Sequence, residues 1–194
     1  MFFISVIILV AAYSVARILL DLHQIKYIKS TRISNDELNL IKLNQEYAKK
    51  SKLYNIEKLS LSVFNTAIKS LIIIMFLAFD GISLFQNISN SINIISVNTE
   101  VFNIILFIVI LTLIDLPFSF YKTFFIENHY GFNRQSKLLF FKDLALSLVI
   151  SLGIVSILFI VFNKIYNLYI NDWWFYMWLI IIIFNVVVMY LFPL

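Results

Sequence analysis

The sequence predicts an all-α, polytopic membrane protein with about five transmembrane helices, and three observations carry that prediction. Of the 194 residues 61% are hydrophobic and only 13% charged, with a mean hydropathy of +0.92, whereas soluble domains average roughly 25% charged and ~45–50% apolar residues. Apolar runs close to the ~20 residues that cross a ~30 Å hydrocarbon core as helix recur five times along the chain. Lys and Arg crowd into two of the four connections and nearly vanish from the others. That segregation accounts for the net charge of +4 through topology, so no nucleic-acid partner is expected. The chain has no cysteine, which excludes both a disulfide framework and a Cys-ligated metal.

In chain order the predicted spans are Phe2–Leu20, Leu61–Phe85, Val101–Tyr121, Asp143–Phe162 and Trp173–Phe192. The first contains a small-residue stretch, Ser14–Ala16, like a signal cleavage site. No Lys or Arg precedes it, however, and Arg17 follows, which reverses the charge order of a signal peptide; a retained helix is predicted. Loop 21–60 carries Lys26, Lys29, Arg32, Lys42, Lys49, Lys50, Lys52 and Lys58, and loop 122–142 carries Lys122, Arg134, Lys137 and Lys142. The stretch "QNISNSINIISVNTE" has no basic residue and "NKIYNLYIND" has only Lys164. The positive-inside rule therefore puts both basic loops in the cytoplasm, the N-terminus outside and the C-terminus inside. Asp172–Trp178, "DWWFYMW", fits an aromatic belt where the last span enters from outside.

Within the first loop, Ser34 and Glu37 read as a capping box, and Leu38, Ile41, Tyr47 and Ala48 recur at near-helical spacing. They predict a cytoplasmic amphipathic helix resting on membrane lipid, with a solvated connector as the alternative. No internal repeat or low-complexity tract is present.

Charges at span depth cost roughly 2.5–3.5 kcal/mol each, so each needs a partner or a wet cavity. Three are expected there: Lys69, Asp80 and Asp115. Lys69 lies ~13 Å from the cytoplasmic start of its span at 1.5 Å per residue, and Asp115 lies at a matching depth, which suggests an ion pair. Asp80 follows Lys69 by about three turns and is expected on the same face. Helix-to-helix structural contacts are one use of such groups and an ion or proton relay is another.

The third connection, "LPFSFYKTFFIENHYGFNRQSKLLFFKD", concentrates scarce residue types. It holds Pro117, His129 and Gly131 in a chain with two Pro, two His and three Gly. Pro117 removes a backbone donor and is expected to kink or end the third span. Gly131 suits a turn. Glu127, His129, Asn133, Arg134 and Gln135 are polar enough to bind a ligand. An i, i+2 Glu/His pair is weak support for a metal, and with only His23 and His129 available the H-E-x-x-H helix of zinc peptidases cannot occur.

This stretch resembles a signature of the type I CAAX prenyl proteases, membrane-embedded zinc metalloendopeptidases. The positions carrying the resemblance are Leu116, Pro117, Ile126, Glu127, Gly131, Phe132, Asn133, Gln135, Lys142 and Asp143. It extends more weakly to "AKKSKLYNIEKLSLSVF" and to the C-terminal "WWFYMWLI…YLFPL". The resemblance implies a proteolytic family that removes the last three residues of prenylated CAAX peptides. It also implies a zinc-bound water as nucleophile, a helix glutamate as base, and transmembrane helices enclosing a chamber. The family's zinc ligands lie C-terminal to the matched part, so no catalytic or metal residue is assigned in this chain, and zinc is implied only for a complete enzyme. The expectation is an N-terminal membrane domain over residues 1–194, inactive alone. Its partners would be a C-terminal zinc protease domain, in cis or in trans, and a prenylated or other peptide. Pro117, Glu127, His129, Gly131, Phe132, Asn133, Arg134 and Gln135 are the candidates for substrate access or domain packing. A non-catalytic scaffold, or a small transporter using Lys69, Asp80 and Asp115, is the alternative. Heavy use of Ile, Asn, Lys and Phe points to an AT-rich genome, and the short outer N-terminus favours a bacterial plasma membrane over the endoplasmic reticulum.

Overall fold

The computed structural model describes residues 2–31, 44–92 and 99–191. Among them the chain forms six α-helices and one π-helical turn, with no strand. These are α1 (Phe2–Ser30), α2 (Gln45–Ala78), α3 (Gly81–Ile92), α4 (Thr99–Tyr121), the π turn (Lys122–Glu127), α5 (Lys137–Leu168) and α6 (Trp173–Leu191). Five stretches are long and apolar enough to cross a membrane: Phe3–Ser30, Gln45–Ala78, Thr99–Glu127, Lys137–Leu168 and Trp173–Tyr190. At 12 residues, α3 reaches only about 18 Å and cannot span.

Several helices extend beyond the apolar runs that predict them. α1 continues past Leu20 to Ser30, and α2 starts at Gln45, far ahead of Leu61. Lys, Glu, Gln and Leu are good helix formers, so polar turns propagate beyond the hydrocarbon boundary at little cost. Asn44 caps α2, its side chain accepting from the Glu46 N–H at 3.4 Å. Lys52 Nζ donates to the carbonyls of Lys29 and Thr31, each at 3.0 Å, and so satisfies orphan acceptors at the end of α1. The separate amphipathic helix predicted around Ser34–Ala48 falls largely on residues 32–43, outside the described residues; Tyr47 and Ala48 belong to α2 itself.

The second span also ends earlier than Phe85. α2 stops at Ala78, Phe79 N–H bonds back to Met75 O at 3.0 Å, and Asp80 takes φ 53°. Asp is among the few residues that tolerate the left-handed region, and one such residue suffices to end a helix. α3 then begins at Gly81, where a Cβ would lie 2.2 Å from the Phe76 ring. By contrast Pro117 does not end its helix: α4 runs through it to Tyr121 and widens into the π turn.

Two compact units result, residues 1–142 and 143–194. In the first, α2 is the hub, packing against α1, α3, α4 and the π turn. Among the described residues its buried side chains are few: Ser14, Asp21, Phe85, Ile126, Tyr130 and Phe140. Large apolar groups such as Ile8, Leu9 and Leu113 remain exposed, the surface a hydrocarbon solvent accepts. In the second unit the remainder of α5 and α6 are joined by a short turn with aromatic contacts around it. Phe162 meets Trp173 edge-on at 5.5 Å, and Tyr169 meets Tyr176 at 4.3 Å.

Candidate functional site

The π turn and the residues after it fold back on α2. The Glu127 carbonyl accepts from both Phe132 N–H (2.8 Å) and Asn133 N–H (3.2 Å), while Gly131 N–H bonds to Asn128 O at 3.0 Å. Such a reversal needs a left-handed residue, and Gly131 supplies it at φ 75°. Asn133 Oδ1 then accepts from Gln135 N–H at 2.7 Å, and Ser136 Oγ accepts from Leu139 N–H at 3.2 Å, opening α5.

Tyr130 anchors this turn. Its ring is 5% exposed, and its hydroxyl donates to Glu57 Oε1 on α2 at 2.9 Å. Tyr54, one turn earlier on α2, meets Tyr130 edge-on at 5.6 Å and Phe132 at 4.9 Å. Ile126, 4% exposed, fills the inner side. Burial first, and then the hydrogen bond to Glu57 and its negative charge, push the Tyr130 phenol above its usual range.

The predicted residues of this segment separate by role. Asn133 and Gln135 line a cleft of about 470 Å³ walled by Phe120, Phe124 and Phe125. Glu127 holds the turn through its carbonyl and pairs with Lys122 at 3.7 Å. Phe132 packs on Tyr54 although it is half exposed. His129 and Arg134 lie at the surface, His129 edge-on to Tyr130 at 5.0 Å, and Pro117 stays inside α4. Sequence reasoning missed Tyr54, Glu57 and Tyr130 as the anchor, since a contact across 73 positions leaves no local spacing to read. Among the described residues no three His, Cys, Asp or Glu side chains converge on one point. Those described residues therefore offer no ready-made set of ligands for a zinc ion.

Deeper in the first unit lies a polar network. Lys69 Nζ pairs with Asp115 Oδ2, and Asn65 Nδ2, one turn before Lys69, donates to Asp115 Oδ1 at 3.3 Å. A second layer centres on Asp21, 2% exposed, which accepts from Ser62 Oγ at 2.8 Å and faces Arg17 Nη2 at 3.6 Å. The sequence puts Asp21 in the first loop; it is instead enclosed within α1 because that helix continues past Leu20 along α2. A cavity of about 620 Å³ between the two helices is lined by Arg17, Ser62, Asn65, Thr66 and Lys69 among others. Asp80 takes no part in this face: it sits exposed in the turn beyond Ala78.

The family model described as "CAAX prenyl protease N-terminal, five membrane helices" matches residues 24–194. The chain is 30% identical over 145 residues to the probable CAAX prenyl protease 1 of Schizosaccharomyces pombe, covering 68% of this chain and 30% of that protein. It is 29% identical over 82 residues to CAAX prenyl protease 1 of Saccharomyces cerevisiae, covering 42% of this chain and 18% of that protein. It is 29% identical over 79 residues to a CAAX prenyl protease 1 homolog of Dictyostelium discoideum, covering 41% and 18%. The chain thus spans less than a third of these curated relatives. The crystal structure of S. mikatae Ste24p superposes with a TM-score of 0.81 at 22% identity, over 97% of this chain and 46% of that one. All four are eukaryotic, so the expectation of a bacterial plasma membrane finds no support in them. Because the matched region takes in the end of α1 and every later element, the chain belongs to the CAAX prenyl protease N-terminal family and is an integral, multi-pass membrane domain of that type.

Proposed function

We propose that the chain serves as the membrane half of a zinc endopeptidase of the CAAX type, working with a zinc-binding domain supplied in cis or in trans. In this reading the cleft beside Asn133 and Gln135 receives peptide on its way to that domain, or seats the domain itself. The observation that carries it is the anchoring of the turn: Tyr130 and Glu57 fix residues 127–135 on α2, so the two amides hold a set position against a phenylalanine wall. A rigid amide next to an apolar surface suits an extended peptide bearing a hydrophobic group. Asn133 Oδ1 already accepts from Gln135 N–H, so Nδ2 is the group Asn133 offers to a peptide carbonyl.

The names of the relatives support a prenylated CAAX peptide as the substrate class. The clustered lysines support a cytoplasmic position for this turn. In an assembly containing the zinc domain, Asn133→Ala and Gln135→Ala should each lower cleavage of a prenylated CAAX peptide about tenfold, the scale of one lost hydrogen bond, at unchanged protein level. Wild-type turnover in both variants would end this reading.

A further inference from the structure

We propose that a crevice between α2 and α4 binds the phosphate of an anionic phospholipid headgroup. The crevice holds about 220 Å³ and is lined by Lys58 and Lys122, by Leu61 and Phe118, and by the polar Ser62 and Asn65. No carboxylate lines it.

Depth identifies the ligand. Lys122 follows Asp115 by seven residues and Lys58 precedes Lys69 by eleven, which puts the two ammonium groups about 10 Å and 16 Å along their helices from the intramembrane pair. Both apolar runs end there, so the two lysines lie where lipid phosphates lie, while Leu61 and Phe118 come about one helical turn nearer the apolar runs. Basic pockets between transmembrane helices at this level bind anionic headgroups.

The neutral polar groups of the lining do not neutralise the two lysines, and of their atoms only Asn65 Oδ1 is buried without a hydrogen-bond partner among the described residues. Ser62 Oγ donates to Asp21 and Asn65 Nδ2 to Asp115. Lys122 shares its charge with Glu127 at 3.7 Å, but that pair is solvent-accessible and its attraction is small. Lys58 leans over the Tyr54 ring at 5.8 Å, and no carboxylate of the described residues forms an ion pair with it. A free phosphate would use the lysines alone; a lipid also has an acyl chain to lay on Leu61 and Phe118 of the same lining, and this favours the lipid.

The test reconstitutes the full chain in nanodiscs of phosphatidylcholine with and without phosphatidylglycerol, then counts retained lipids by native mass spectrometry. The wild type should keep one phosphatidylglycerol. Lys58→Gln and Lys122→Gln should each reduce retention about fivefold, and the double variant about 25-fold if the two act independently. Lys122→Arg should retain the lipid, which separates charge from a folding defect, and helical content by circular dichroism should be unchanged in all. Lys142→Gln, a lysine outside the crevice, should match the wild type. Equal retention in the double variant, equal retention of phosphatidylcholine, or an equal loss in Lys142→Gln would overturn the proposal. Inorganic phosphate protecting the protein from heat as well as phosphatidylglycerol does would also overturn it, in favour of a free-anion site.

Discussion

Removing the ammonium of Lys69 would leave the Asp115 carboxylate with one amide donor, from Asn65, in place of an ion pair. Both side chains are about a third exposed, at 33% and 34%, so the full insertion cost of an unpaired charge does not apply. Lys69→Met should lower unfolding stability by about 1–2 kcal/mol, measured by detergent titration, and the charge-swapped double variant should recover more than half of it. No recovery would mean that the loss comes from the cavity rather than the pair. The depth of these two residues can be counted from the sequence; the joining of Asn65, and a second acid at Asp21, cannot, because they depend on how α1 lies along α2. Tyr130 gives a second residue-level expectation. Tyr130→Phe deletes a donor to a charged acceptor and should cost about 1–2 kcal/mol. The native phenol is held above its ordinary value of ~10, so its contribution is fully present below that pH and is lost as pH rises through the raised native value. Thermal unfolding scanned upward from pH 9 should therefore fall more steeply in the wild type than in Tyr130→Phe.

Between helices, two glycines do different work, and their alanine variants should fail for different reasons. At Gly131 a Cβ would have only Lys50 Nζ within 4.0 Å, so the cost of Gly131→Ala is the left-handed backbone, about 1–2 kcal/mol. At Gly81 the Cβ would sit 2.2 Å from Phe76, whose ring is held by Phe85 at 4.7 Å and Phe107 at 5.7 Å. Gly81→Ala should cost about 1–3 kcal/mol through overpacking, and Phe76→Leu in the same chain should return part of it, whereas it should not help Gly131→Ala. A double-mutant cycle by thermal unfolding reads both. The Gly131 turn is legible in "ENHYGFNRQ" because polar residues bracket the glycine. The Asp80–Gly81 break is masked because "MFLAFDGISLF" averages to an apolar run, although its excess length over ~20 residues and the Asp-Gly pair both hint at an interruption. The extension of α2 back to Gln45 is hidden for the opposite reason: hydropathy marks where a helix is apolar, not where it is helical.

For the molecule as a whole, the number of spans follows from apolar length, but their direction rests on loop charge alone. The fold ties that direction to the site. Glu57 and Tyr54 lie in the polar start of α2, and the turn they hold lies between Lys122 and Lys142, so the cleft shares a side with both basic loops. The absence of cysteine from the chain gives a clean background for single-cysteine labelling. Ser51→Cys, near the start of α2, should react with a membrane-impermeant maleimide only after cells are permeabilised. Ser91→Cys, at the far end of α3 beside the loop without basic residues, should react in intact cells. Both positions are exposed, so failure to label at all would mean an element is covered by a partner. The reversed pattern would put Asn133 and Gln135 outside the cytosol, where a cytosolic CAAX peptide cannot reach them, and would remove the proposed substrate class while leaving family and fold untouched.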